Sequence, residues 1–158
     1  LHFTIHSFPT RRSSDLSNQL FKGVLDEYST GAFNGRILVR RDAQKTVAYQ
    51  ANNNILLTDD AKMYSKPQLE IYADDVKCSH GGTSGQLDKD AMFYLRTRGI
   101  PHKEAQLLLM YAFAHEVIGH IRIKPLQERI HELVEKRLRG ELSRCNYCEM
   151  HCGEAGAN

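Results

Sequence analysis

The sequence predicts a mixed β and α fold, with a strand-rich stretch first and a small helical module after it. Two observations carry this. Up to about Leu87 the apolar residues come in short runs separated by Asn, Asp and Gly clusters, with no helix-length pattern between them. After Gln86 the apolar period changes to that of a helix, and Gly and Pro fall where helices stop and start.

The strand-like stretch is read in order. Gly31-Ala-Phe-Asn-Gly35 reads as a turn, followed by the apolar run Arg36-Ile-Leu-Val-Arg40. Thr46-Val-Ala-Tyr-Gln50, Ile55-Leu-Leu57 and Gln68-Leu-Glu-Ile-Tyr-Ala73 follow as further strands. A doubly wound sheet needs a crossover helix between parallel strands, and the intervals leave no room for one. A β-sandwich, a barrel and a β-solenoid remain open. Gln50-Ala-Asn-Asn-Asn54 favours the solenoid, because stacked coils hold amide side chains in ladders at their corners. Gly81-Gly-Thr-Ser-Gly85 lacks the lysine of a P-loop and reads as a turn between the last strand and the first helix.

Asp88 is placed to cap a helix through Ala91, Phe93, Tyr94 and Leu95, with Gly99 as its C′ residue. Pro101 suits the first turn of a second helix containing Ala105, Leu108, Leu109, Ala112 and Phe113, which Lys124-Pro125 then breaks. A third helix carries Leu126, Ile130, Leu133, Val134 and Leu138 on one face, and Glu128, Glu132, Lys136 and Arg139 among the charges on the other.

Composition narrows the function. The 158 residues carry 21 basic and 19 acidic side chains, a near-balance that argues against a nucleic-acid-binding domain. No apolar run approaches the ~20 residues of a membrane-spanning helix; the longest is Leu107 to Ala114. Of the four cysteines, Cys145, Cys148 and Cys152 crowd the C-terminus, a spacing of metal or redox chemistry rather than a disulfide framework. A reducing, cytoplasmic compartment is expected. Residues 1–16 begin without Met, show neither helical nor strand periodicity, and order their charges wrongly for a signal peptide. They resemble translated adaptor read-through, so a truncated fragment is expected and they are set aside. The expected division is 17–87 for the β segment, 88–142 for the helical module and 143–158 for a Cys-rich tail.

Three long phrases stand out. One runs from Lys66-Pro-Gln-Leu-Glu-Ile-Tyr-Ala-Asp-Asp-Val-Lys-Cys-Ser-His-Gly-Gly-Thr-Ser-Gly-Gln-Leu-Asp88 and continues at Phe93-Tyr-Leu-Arg-Thr-Arg-Gly-Ile100. Upstream are Phe33-Asn-Gly-Arg-Ile37 with Asp42-Ala-Gln-Lys-Thr-Val-Ala-Tyr-Gln50, and Leu56-Leu-Thr-Asp-Asp-Ala61. In this order they resemble the SufB/SufD family, from about Phe21 to about Leu142. Cys78-Ser-His80-Gly81 is similar to the SufD branch; the Glu-His-Glu sequence of the SufB branch is absent here.

The resemblance implies the end of a right-handed parallel β-helix followed by a helical module. It implies a non-catalytic scaffold for iron–sulfur cluster assembly that pairs with SufB through the β-helix and docks the SufC ATPase through its helices. A transient cluster shared with SufB is implied, with His80 as an iron or cluster ligand and Cys78 as a helper. A thiolate is a strong ligand for iron and a neutral imidazole a weaker one, suited to release. Cys-x-His on a strand puts both side chains on one face. By residue type alone, Cys78 and His80 read as a buried cysteine and a hydrogen-bonded polar histidine.

Other constellations are weighed beside these. Cys145, Cys148, His151 and Cys152 offer four ligands in a short span, and read either as a zinc- or iron-binding tail or as an untethered end with reactive thiols. His115-Glu-Val-Ile-Gly-His120 spaces its histidines five apart, about 140° around a helix, which does not fit a zincin. Asp59, Asp60, Asp74 and Asp75 pair on neighbouring positions whose side chains diverge, so a carbohydrate-active solenoid is the weakest reading. No nucleophile–base triad or carboxylate pair stands out.

Overall fold

The computed structural model describes residues 2–4, 8–10 and 16–141, the first two segments as backbone. Two compact units divide between Asp88 and Lys89. The first holds seven strands: β1 (His2–Thr4), β2 (Phe8–Thr10), β3 (Leu16–Leu25), β4 (Thr30–Val39), β5 (Val47–Leu56), β6 (Lys62–Ile71) and β7 (Lys77–Gly85). The second holds three helices, α1 (Lys89–Thr97), α2 (His102–Ile118) and α3 (Lys124–Leu138).

From β3 onward, successive strands alternate between two sheets, and every ladder is parallel. One sheet has the order β3-β5-β7; in the other, β4 is flanked by β1 and β2 and pairs with β6. Leu16 lies opposite Val47, Val47 opposite Lys77, and Thr30 opposite Lys62. The pleat explains the pattern of burial. On β4 Gly31, Phe33, Gly35, Ile37 and Val39 are buried, while on β5 Ala48, Gln50, Asn52 and Asn54 are. The intervening residues face outward. Ile37, Val39, Ala43, Ala48 and Ala73 form the apolar core, and Leu69, Val76 and Cys78 pack against it.

Several sequence expectations are corrected here. Gly31–Gly35 is not a turn but the first half of β4. Its glycines serve close packing: a Cβ on Gly31 would lie 2.8 Å from Met63 Sδ and 2.9 Å from Leu25 Cδ2. Gln50–Asn54 occupies no corner. It lies within β5, with alternate amides turned inward. Gly81–Gly85 is the second half of β7, paired with Ala51 to Ile55. Residues 2–4 and 8–10 form short strands beside β4, where the sequence shows no strand period. Pro67 sits in β6, which among the described residues pairs only with β4, and a missing N–H is tolerated on such an edge.

The helices follow their punctuation. Gly99 closes α1 at φ +85° and Gly140 follows α3 at φ +78°, the left-handed conformation that ends helices. Pro101 is the N-cap of α2. The end of α2 differs from expectation: it stops at Ile118 with Gly119 as C-cap, and Pro125 opens α3 rather than breaking α2. Ala105, Met110 and Ile118 are buried. Ile130, Leu133, Val134 and Leu138 are half-buried, whereas Leu126 at the start of the α3 stripe is exposed. Among the described residues, no helix is long and apolar enough to cross a membrane.

Candidate functional site

Cys78 and His80 lie two residues apart on β7, opposite Ala48 and Gln50 of β5. Ala48 and Gln50 both face the interior, so the pleat carries Cys78 and His80 onto that same face. Among the described residues β7 pairs only with β5. This edge position leaves His80 exposed while Cys78 is half-buried.

The two environments differ chemically. Cys78 packs against the apolar core. Burial pushes its thiol upward from the ordinary range, only partly offset by a hydrogen bond with the backbone of Ala48. The thiol is therefore protonated at neutral pH, and binding a metal through sulfur has to displace that proton. His80 stands beside a different stretch of the interior. Gln50 Nε2 donates to Gln19 Oε1 at 2.7 Å, Asn52 Nδ2 to Ser65 Oγ at 3.0 Å, and Asn54 Nδ2 to the Thr83 carbonyl at 3.3 Å. These residues are nearly fully enclosed, and among the described residues Gln50 Oε1 is the buried side-chain polar atom without a hydrogen-bond partner.

Gln19, Gln50 and His80 occupy matching positions on three adjacent strands, a polar row across the β3-β5-β7 sheet. The sequence reading missed this row. Its signal is the alternation Ala48, Gln50, Asn52, Asn54, which marks one face of a strand once a strand is assumed.

The remaining candidates separate. Cys145, Cys148, His151 and Cys152 lie outside the described residues. Among the described residues, no group of three or more His, Cys, Asp or Glu side chains is placed to hold a metal ion. His115 is not paired with His120. It packs edge-on against His131 of α3 with ring centroids 6.0 Å apart, and His131 Nε2 in turn meets the Tyr111 hydroxyl. Burial raises the Tyr111 phenol, with the Glu135 carboxylate adding to the effect. Asp59, Asp60, Asp74 and Asp75 are all exposed.

Comparison with known proteins places the chain. Residues 10–113 match the family described as SUF system FeS cluster assembly, SufBD core domain. An iron–sulfur cluster assembly SufBD family protein of Synechocystis is 46% identical over 121 residues, covering 77% of this chain and 27% of that protein. The iron–sulfur cluster assembly protein SufD of Escherichia coli is 44% identical over 124 residues, covering 78% of this chain and 29% of that protein. The chloroplastic protein ABCI7 of Arabidopsis thaliana is 43% identical over 103 residues, covering 65% and 22% respectively. The chain thus spans between a fifth and a third of the length of these curated relatives. With strands β3 to β7 and helix α1 inside the matched region, the chain belongs to the SufBD core family of SUF-system iron–sulfur cluster assembly proteins.

Proposed function

We propose that this chain is part of a SufD-type, non-catalytic scaffold on which iron–sulfur clusters are assembled in the cytoplasm. The two alternating parallel sheets are a stretch of right-handed parallel β-helix. Their strands pair with those of SufB, and the helical unit docks the SufC ATPase. His80 is the ligand that this chain offers to the iron or nascent cluster, which is cargo shared with SufB, and Cys78 assists it.

The observation that carries this reading is the placement of His80. It stands exposed on β7, on the inward face, one pleat from a thiol, within a chain of this family. An exposed imidazole is free to ligate and to let go. Cys78, protonated in its apolar setting, is poorly suited to hold iron alone and better suited to a second, transient contact.

The test is co-purification of the chain with SufB and SufC, followed by iron and sulfide analysis. The expected result is a complex whose iron content falls when His80→Ala is introduced and falls less for Cys78→Ala. A complex with unchanged iron in His80→Ala removes the ligand role. If no complex forms and the isolated chain retains zinc until Cys145, Cys148 and Cys152 are replaced, the function passes to the C-terminal tail.

A further inference from the structure

One buried side-chain atom of the described interior lacks a hydrogen-bond partner. Gln50 is 2% exposed, and its Oε1 is the buried side-chain atom without a hydrogen-bond partner among the described residues. A buried carbonyl oxygen left unpaired is costly, so such an atom calls for a donor. Its own amide nitrogen is already committed to Gln19 Oε1 at 2.7 Å, which fixes which end of the amide is left over. Gly35 faces it from the other sheet, where a Cβ would come within 2.5 Å of Oε1. The glycine brings no donor to the contact.

The next residue in the polar row is His80, directly opposite Gln50 in the β5–β7 register. Neighbouring strands are about 4.8 Å apart, so a same-face imidazole is within reach of the amide. His80 is exposed. His80 does not make this bond as its ring stands in the structure; we infer that Gln50 is a positioning residue for His80, whose exposed side chain turns so that one ring N–H donates to Gln50 Oε1, fixing the tautomer and presenting the other nitrogen outward. Metal-ligating histidines commonly donate their second ring N–H to an oxygen in this way, which orients the ring and makes it more basic. Gln19 extends the device by holding the Gln50 amide the right way round. The purpose of this contact rests on the proposed ligand role of His80; the contact itself does not.

The experiment uses the full chain, labelled with nitrogen-15 histidine, at about pH 8, where an ordinary imidazole is neutral. Long-range proton–nitrogen spectra report the tautomer of each ring. Eight histidines are present, and the signals lost in His80→Ala identify His80. A single tautomer is expected in the native chain, a mixture in Gln50→Met, and a single tautomer again in Gln50→Glu, which keeps an acceptor oxygen. Anaerobic titration with ferrous iron is expected to weaken about 10- to 100-fold in Gln50→Met. Should Gln50→Met fail to fold by circular dichroism, Gln19→Met replaces it: loss of the amide's anchor lets it flip, and the tautomers mix. An unchanged His80 tautomer in whichever of the two folds overturns the inference. A tautomer that depends on Gln50, with iron in the SufB–SufC complex indifferent to His80→Ala, upholds the contact and removes the ligand reading instead.

Discussion

The close approach of the two sheets at Gly35 gives the sharpest test of the interior. A Cβ on Gly35 would lie 2.5 Å from Gln50 Oε1, 2.8 Å from Gln50 Cδ and 2.6 Å from Phe33 Cζ. Ordinary contact is about 3.5–4.0 Å, so each neighbour must retreat by about 1 Å. Both are themselves enclosed, Phe33 at 3% and Gln50 at 2% exposure; Phe33 also lines a cavity of about 370 Å³, which lets its ring give way in part while Gln50 is held by Gln19. Overpacking of this kind costs about 1–3 kcal/mol. Replacing a strand glycine returns about 0.5–1 kcal/mol by restricting the unfolded chain. Gly35→Ala is therefore expected to destabilise the strand unit by about 1–2 kcal/mol, within the uncertainty of both terms. In urea, with a slope of about 1–3 kcal/mol per molar, the midpoint falls by roughly 0.3–2 M. Circular dichroism follows the transition, and hydrogen exchange of the β4 and β5 amides locates the loss in the strand unit. The double variant Gly35→Ala/Gln50→Ala removes one clashing partner, so its cost should be less than the sum of the two single changes. An unaltered midpoint, or strict additivity in the cycle, refutes the packing argument.

Four further outcomes follow from the same structure. Ser65→Ala leaves Asn52 Nδ2 without its acceptor in a nearly closed site and should cost about 1–3 kcal/mol, read by urea denaturation; no change means that the amide finds another acceptor. Cys78, its thiol raised by burial, should react with iodoacetamide more slowly in the native than in the unfolded chain at pH 7.5, as followed by mass spectrometry of its peptide; equal rates would contradict its packing. For the same group, stability is indifferent to pH below the ordinary thiol range. It declines as pH rises through that range toward the folded value, because the unfolded thiol releases its proton first. A Cys78→Ser chain should lack that alkaline decline. Tyr111→Phe removes the hydroxyl that meets His131 and should loosen the α2–α3 pair by about 1 kcal/mol, visible as faster hydrogen exchange in α3.

How far the sequence reveals this structure depends on how local each signal is. The helices were legible because Gly99 and Pro101 punctuate the backbone within two residues of where the structure ends one helix and begins the next. The end of α2 was not, because Leu107, Leu108, Leu109 and Met110 put apolar side chains around much of its circumference, so the period gave no boundary. Gly31 and Gly35 read as turn residues because one sequence does not distinguish a glycine chosen for its backbone freedom from one chosen for lack of a Cβ; the opposing residues that decide it, Met63, Leu25 and Gln50, are distant or on another strand. Cys78 and His80 emerged through the phrase in which they stand, and the pleat then placed them on one face as i, i+2 spacing requires. Gln50 did not emerge, because its relation to Gln19 and His80 exists only through the parallel register.

That register also explains why a thiol and an imidazole two residues apart are set in unlike surroundings. Along the inner face of β5 the side chains run Ala48, Gln50, Asn52, Asn54, apolar at the first position and polar at the next three. β7 lies alongside with Cys78 beside Ala48 and His80 beside Gln50, so the pair straddles the boundary between the apolar core and the amide row. On the proposed reading this division is useful. An apolar setting keeps the sulfur protonated until a metal displaces the proton, which makes the Cys78 contact conditional on pH and on the arriving ion. A polar setting allows His80 to be oriented without a competing charge, as a neutral ligand that binds iron moderately. A moderate imidazole ligand beside a thiol that binds only on losing its proton suits a surface that must receive a cluster and then surrender it, whereas two ready thiolates would retain it. Exchanging the surroundings tests this directly. Ala48→Ser adds a hydroxyl beside Cys78, should bring its thiol down toward the ordinary range, and should slow iron release from the complex more than it alters iron uptake; a release rate unchanged despite faster alkylation of Cys78 would separate thiol acidity from cargo release and remove this argument.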